Sequence, residues 1–277
     1  MPITVSSIYV YPIKSLGAIS LNKVQVEEEG LQYDRRWMLV DENGRFMTQR
    51  TLSVMAQLLP EISPQGLKVT HRIGGDALHV PYEAEGPMRT VKIWDDELEA
   101  QEVNEACNAW FSEKLNKPCA LVQLPNNRQR MASKKYTEDD EVAVSFADGF
   151  PILIANEASL EDLAQKSGMA LEMERFRPNI VVSGAQAWEE NTWKELQINQ
   201  LTLMGAKPCG RCKVTTLNPK TGEKTGNEPL KTLMKLRNWK DNGIFGENCY
   251  SLDDGEIKLG YLLTVVEKKE NPVKTIG

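Results

Sequence analysis

The run Lys207-Pro208-Cys209-Gly210-Arg211-Cys212-Lys213-Val214-Thr215-Thr216 carries two thiols three positions apart, three cations and a Thr-Thr pair. Upstream, Leu196 to Met204 alternates apolar and polar side chains for most of its length, which predicts a half-buried strand. Downstream, Val214–Leu217 reads as a second strand running into Asn218-Pro219-Lys220-Thr221-Gly222, a turn signal. The thiols are therefore expected on a loop between strands, where reactive groups face a ligand. A thiolate is stabilised by nearby Lys and Arg and is a strong ligand for soft metals.

Cys-x-x-Cys alone leaves several chemistries open. Structural zinc needs four ligands, usually with a second pair at similar spacing. Here Cys107, Cys119 and Cys249 are not paired at short spacing, and the histidines are His71 and His79. A thioredoxin-like redox pair needs a strand-to-helix turn, whereas a strand is expected to follow this one. Two ordinary cysteines in a turn is the plainest reading, and the crowding of cations weighs against it.

The remaining sequence bounds the answer. A chain of 277 residues has room for one large domain or two smaller ones with real cores. It is 41% hydrophobic and 26% charged, ordinary for a globular protein. The formal net charge of −6 argues against general nucleic-acid binding, so no nucleic-acid polymer is expected as a partner. No apolar run approaches a membrane span, and the N-terminus reads as a strand, not a signal peptide. Five cysteines without framework spacing fit a reducing compartment, with the cytoplasm as the expected location.

In chain order, residues 3–13 predict a strand ending at the turn Pro12–Gly17, which exposes Lys14 and Ser15, in the plainer reading a solvated turn and in the other an anion-holding pair. A strand is expected at Val24–Val26, and a turn at Gly30–Arg36 feeds another from Trp37. Asn43-Gly44 centres a hairpin, placing Arg35 and Arg50 on neighbouring strands, as surface charges or as anion clamps. Short strands fill Leu58–Val103, and a helix runs from Asn104 to Asn116. Residues 125–141, a basic half before an acidic half, predict a long loop or mobile lid between the two halves of the chain. Asp148 precedes a Gly-Phe-Pro turn, either facing a cleft or closing an Asx-turn. Ser159 to Asp162 resembles a capping box for a helix that Gly168 ends. Arg177 and Asn179 flank Pro178 at the mouth of a buried strand, and Pro229 starts a helix. Residues after Glu267 read as a frayed tail.

Tyr-Pro-Ile-Lys-Ser (11–15), Asp-Arg-x-Trp (34–37), Ser-Phe-Ala-Asp-Gly (145–149), Arg-Phe-Arg-Pro-Asn (175–179) and Lys-Pro-Cys-x-Arg-Cys (207–212) together resemble the MOSC family, in the branch with a MOSC N-terminal β-barrel domain. The resemblance covers nearly all of residues 1–266 and points to hydroxylaminopurine-detoxifying reductases and amidoxime reducing components. It implies an α+β, β-rich fold: an N-terminal β-barrel-like domain (1–122) packed on a MOSC β-barrel domain (123–267) with peripheral helices, then a tail (268–277). It implies a molybdenum cofactor, Mo-molybdopterin, whose metal is held by Cys212, with Cys209 nearer the rim. Lys14, Ser15, Arg35, Arg177 and Asn179 match cofactor-binding positions, Arg211 joins them as the cation between the thiols, and Asp148 matches an acidic residue near the metal. The implied activity is two-electron reduction of small N-hydroxylated substrates, N–OH to N–H. The alternative is a non-catalytic carrier of the cofactor, or of sulfur on Cys212. The Cys-x4-Cys-x2-Cys spacing of a plant-type [2Fe–2S] domain is not found, so no iron–sulfur cluster is expected in this chain. Electrons must then come from an external donor: an iron–sulfur, flavin or haem protein.

Overall fold

A computed structural model describes residues 1–125, 130–138 and 140–275. Its largest element is a sheet that closes on itself. Ile3–Val10 pairs antiparallel with Leu262–Lys268, which pairs in turn with Trp193–Ile198, Leu201–Gly210 and Asn242–Ser251 in succession. Asn242–Ser251 then pairs with Ile152–Asn156, which runs parallel to Ile180–Ser183, and that strand returns to Ile3–Val10. The result is a closed seven-stranded barrel. Closure removes sheet edges, and the alternation read in the sequence fills the interior. Ile152 and Ile154, Ile180 and Val182, Leu196 and Ile198, and Leu201 and Leu203 all point into one core with Val5, Ile8 and Val10. The opposite faces of two strands, at Ala155 and Val181, bury Phe176, Leu163 and Leu233 outside the barrel. The first strand of the chain is thus a stave of a barrel otherwise built from residues 152–268.

The parallel pair requires a crossover, supplied by helix α2, Glu157–Ser167. The sequence places the start of α2 at Ser159. In the structure Asn156 caps it, accepting from the Ala158 N–H at 3.1 Å, and Gly168 ends it in the left-handed region as expected. Ser159 is drawn inward instead. Its hydroxyl donates to Glu190 at 2.8 Å and accepts from the Trp188 N–H at 2.7 Å.

The N-terminal half is β-rich as well. Trp37–Val40, Ala120–Gln123, Asp96–Glu102 and Met88–Ile93 form a four-stranded sheet, and Leu58–Ser63, Gly66–His71 and Ala77–Pro81 form a meander. Helix α1, Glu105–Leu115, is capped by Asn104 and lays Cys107, Phe111 and Leu115 on Leu39, Leu67, Val69 and Val80.

Several local expectations change. Val214–Leu217 is not a strand: Lys213–Thr216 is a short 3-10 helix, because the Thr215 and Thr216 hydroxyls donate back to the Cys212 and Lys213 carbonyls and close tight turns. Arg35 and Arg50 do not lie on neighbouring strands, since each sits in a turn beside Trp37–Val40 and its partner. The tail is not frayed through its described part, because Lys274–Thr275 pairs with Arg237–Asn238. Part of the expected lid, residues 126–129 and 139, lies outside the described residues. The rest is tied down: Arg130–Met131 pairs with Ala143–Val144, and the Tyr250 hydroxyl donates to Asp140 at 2.9 Å.

A buried polar cluster links α2 to the barrel. Glu190 and Glu247 have no solvent exposure: Glu190 accepts from Ser159 at 2.8 Å and Asn156 at 3.3 Å, while Asn191 donates to Glu247 at 2.9 Å and accepts from Arg237 at 3.0 Å. Burial pushes both carboxyl groups up to about 7, despite hydrogen bonds that favour the charged form. The folded chain therefore holds protons that the unfolded chain has released above the ordinary glutamate range. Their stabilising contribution is complete below that range and is lost as pH rises through about 7. Glu190→Gln is expected to raise the melting temperature at about pH 8 and change it little at about pH 5, measured by thermal denaturation across pH.

Candidate functional site

Every site side chain named from the sequence lines a single cleft: Lys14, Ser15, Arg35, Asp148, Arg177, Asn179, Arg211 and Cys212, with Cys209 and Arg50 beside them. They arrive from distant parts of the chain because the barrel and the N-terminal sheet meet there. The turn after Ile3–Val10 is stapled to Trp37–Val40, Lys14 N–H to the Trp37 carbonyl at 2.8 Å and Arg35 N–H to the Tyr11 carbonyl at 3.0 Å. Tyr11 is wholly buried at this seam, with the Arg35 and Arg177 guanidinium carbons 4.3 and 4.1 Å from its ring centroid. Ser15, Arg35 and Arg177 all hold left-handed backbone, at φ 68°, 52° and 52°. Such conformations in bulky residues persist only where surroundings enforce them, and they concentrate at functional sites.

The cations are fixed by hydrogen bonds to groups behind them. Arg35 is paired with the buried Asp34 and donates to Asn179 Oδ1 at 3.2 Å and to the Arg177 carbonyl at 3.1 Å. Arg177 Nη1 donates to the Leu16 carbonyl at 2.7 Å. Arg211 donates to the Phe176 carbonyl and to Cys209 Sγ at 2.7 and 2.8 Å. Arg211 therefore engages Cys209, not Cys212. Asn179 accepts from Leu153 N–H as well as Arg35 and donates to the Tyr9 carbonyl, so three of its four hydrogen-bonding positions are taken by protein. That arrangement makes it a positioning residue for Arg35.

Three donors are left over. Arg177 Nη2, Arg211 Nε and Arg50 Nε are buried without a hydrogen-bond partner. A buried donor left unpaired costs about 1–3 kcal/mol, more when charged. Three of them from three segments converging on one cleft fit a polyanionic ligand whose oxygens complete them. Burial, reinforced by the Arg35 charge, lowers Arg177 to about 10, so it stays cationic near neutrality.

Lys14 and Asp148 pair across the cleft, and Lys14 also donates to the Phe146 carbonyl at 2.7 Å. Burial lowers the Lys14 pKa, against the pull of Asp148. Around Asp148 the crowding of protein opposes ionisation, but Lys14, Arg50 at 3.7 Å and the Trp94 N–H at 3.2 Å prevail. They hold the carboxyl well below the ordinary carboxylate range. Asp148 is thus an anion and an acceptor at neutral pH, and not a general acid. Its loop is held by Arg130, which donates to the Ser145 and Ala147 carbonyls, both at 2.8 Å, and to Asp96 at 2.8 and 2.9 Å. Arg130→Ala is expected to cost about 2–4 kcal/mol and speed amide exchange across Phe146–Gly149, measured by denaturant unfolding and hydrogen exchange.

Asp34, Tyr11, Trp94 and Arg130 belong to this machinery without having been assigned to it. Asp34 and Tyr11 stand inside motifs read from the sequence, and their roles as supports appear only when the turns meet. Among the described residues no three His, Cys, Asp or Glu side chains cluster to hold an ion. Any metal on Cys212 would therefore draw few of its ligands from the described side chains. A zinc site made of protein ligands alone finds no such set there.

Residues 2–118 match the MOSC N-terminal beta barrel domain and residues 141–264 match the MOSC domain. The chain belongs to the MOSC family. This MOSC chain is 30% identical to mitochondrial amidoxime-reducing component 1 of Mus musculus over 84% of its own length and 71% of the relative's. It is also 30% identical to mitochondrial amidoxime reducing component 2 of Bos taurus, over 93% and 81% of the two lengths. Its similarity to the molybdenum cofactor sulfurase of Homo sapiens, 28%, spans 80% of this chain and 27% of that protein.

Proposed function

We propose that this MOSC chain is a molybdenum cofactor-dependent reductase of N-hydroxylated compounds. The observation that supports it most is the set of arginines, each with a buried donor lacking a partner, that line the same cleft as Cys212. The relatives named for amidoxime reduction support the reaction class.

Arg177 and Arg211 would hold the phosphate of Mo-molybdopterin, with Lys14, Ser15 and Arg35 lining its bed and Asn179 fixing Arg35. Cys212 would be the protein ligand to molybdenum. When bound, the cofactor supplies two electrons to the N–OH group, which with two protons gives N–H and water. The protein orients the substrate and manages charge. Lys14, its pKa lowered by burial, is the better proton donor of the Lys14–Asp148 pair. Asp148 stays ionised as the counter-charge to Lys14, and solvent returns the proton to Lys14 between turnovers. An external electron donor completes the cycle. All five cysteines are free. No helix among the described residues is long and apolar enough to cross a membrane.

The alternative, a carrier of the cofactor or of sulfur on Cys212, draws on the similarity to molybdenum cofactor sulfurase. Turnover of hydroxylaminopurine or benzamidoxime by cofactor-loaded protein with reduced benzyl viologen separates the two. The reductase reading expects sustained turnover. Stoichiometric cofactor without turnover leaves the carrier.

A further inference from the structure

The charge of this chain is divided unevenly. Residues 207–242 hold nine Lys and Arg against three Asp and Glu, within a chain of 33 and 39. The basic segment follows the cysteine motif and folds beside the cleft. A groove there is walled by Arg50, Lys213, Lys224 and Lys231 and floored by Leu217, Leu230 and Met234. Met234 is 40% exposed, unusual for a large apolar side chain. Lys213, Lys224 and Lys231 are exposed and form no ion pair with a described carboxylate. The groove meets the cofactor cleft at Gln49 and Arg50, and Lys213 is the residue after Cys212.

We infer that this basic, apolar-floored groove docks an acidic electron-donor protein beside the metal site. The donor role rests on the reductase reading, while the surface rests on charge and shape. Each turnover needs two electrons: R–NHOH + 2 e⁻ + 2 H⁺ gives R–NH2 + H2O, with two one-electron donors each oxidised once. Electron-transfer partners meet through small interfaces, where opposed charge steers the encounter and a short apolar centre seats it. A basic face on an acidic protein orients the incoming partner, because the rest of its surface repels the same acidic partner. Short distance from the groove to Cys212 then puts the donor's redox centre where electrons are consumed.

The test uses the full cofactor-loaded chain and an acidic plant-type [2Fe–2S] ferredoxin as probe, with binding read by fluorescence anisotropy. The wild type is expected to bind at low salt and to release the probe as ionic strength rises through ~0.15 M. The double variant Lys224→Glu/Lys231→Glu is expected to bind at least ~10-fold more weakly, with unchanged melting temperature and unchanged viologen-driven turnover. Equal affinity of the variant and wild type for the ferredoxin overturns the inference. So does tighter binding of a single-stranded oligonucleotide through the same lysines, which would assign the face to nucleic acid. Binding is read independently of turnover. Absence of viologen-driven turnover counts against the reductase reading alone, and the docking surface stands or falls on the affinities.

Discussion

Cys212→Ala is expected to remove both molybdenum and turnover while leaving the fold intact. Cys212 is half-buried at the end of the Leu201–Gly210 strand and heads the Lys213–Thr216 turn through its carbonyl, which alanine preserves. Its thiol is the one soft donor of the motif left uncommitted, since Cys209 Sγ accepts from Arg211. Loss of groups that merely support a metal ligand costs about 10–100-fold in affinity or activity, and loss of the ligand itself should exceed that. Metal content, turnover and melting temperature measured on one preparation check the claim. Cys209→Ala is the informative control. It frees one Arg211 N–H and should lower activity modestly while molybdenum is retained. Full activity in Cys212→Ala would remove the ligand assignment.

Arg177→Ala should have the next largest effect, on retention of the cofactor. Arg177 lines the cleft, donates from Nη1 to the Leu16 carbonyl and keeps Nη2 buried without a partner. A charge-assisted hydrogen bond is worth about 1.5–3 kcal/mol, and each 1.4 kcal/mol is tenfold in affinity. Binding of isolated cofactor by the apo chain should therefore weaken by about 10–100-fold, measured by pterin fluorescence titration. Arg177→Lys keeps the charge but not the fork, so it should recover only part of the loss. An unaltered titration for Arg177→Ala would mean that the phosphate lies elsewhere in the cleft.

These two residues also show what the sequence disclosed. Alternation over residues 3–13 predicted the strand found at Ile3–Val10, because a half-buried strand enforces a period of two, but the run Leu196–Met204, read as one strand, is a hairpin that turns at Asn199-Gln200. Lys14, Arg35, Asp148, Arg177 and Cys212, singled out by their motifs, come together in one cleft. Other features depend on contacts distant in the chain. Nothing local marks Ile3–Val10 as a stave between strands near residues 180 and 263. Thr215 and Thr216 suit a strand by propensity, yet their hydroxyls close a 3-10 turn. Ser159 has the look of a cap until Glu190, thirty-one residues later, takes its hydroxyl. The basic half of the lid stretch conceals a buried arginine, because Arg130 finds Asp96 only after folding.

The charge state of the Lys14–Asp148 pair was likewise illegible. A carboxylate before Gly-Phe-Pro suits an Asx-turn as well as a site. Its lowered carboxyl pKa comes from Lys14, Arg50 and Trp94, three segments that share no sequence neighbourhood.

Cys212 and the arginine-lined cleft are proposed to hold a molybdenum pterin. Molybdenum and pterin should be quantified together on the full chain made in a cofactor-producing host, and again after reconstitution with isolated cofactor. Near-equal molybdenum, pterin and protein are expected, with molybdenum lost in Cys212→Ala. Protein that takes up neither molybdenum nor pterin after reconstitution, or that carries zinc in their place, would contradict the proposal.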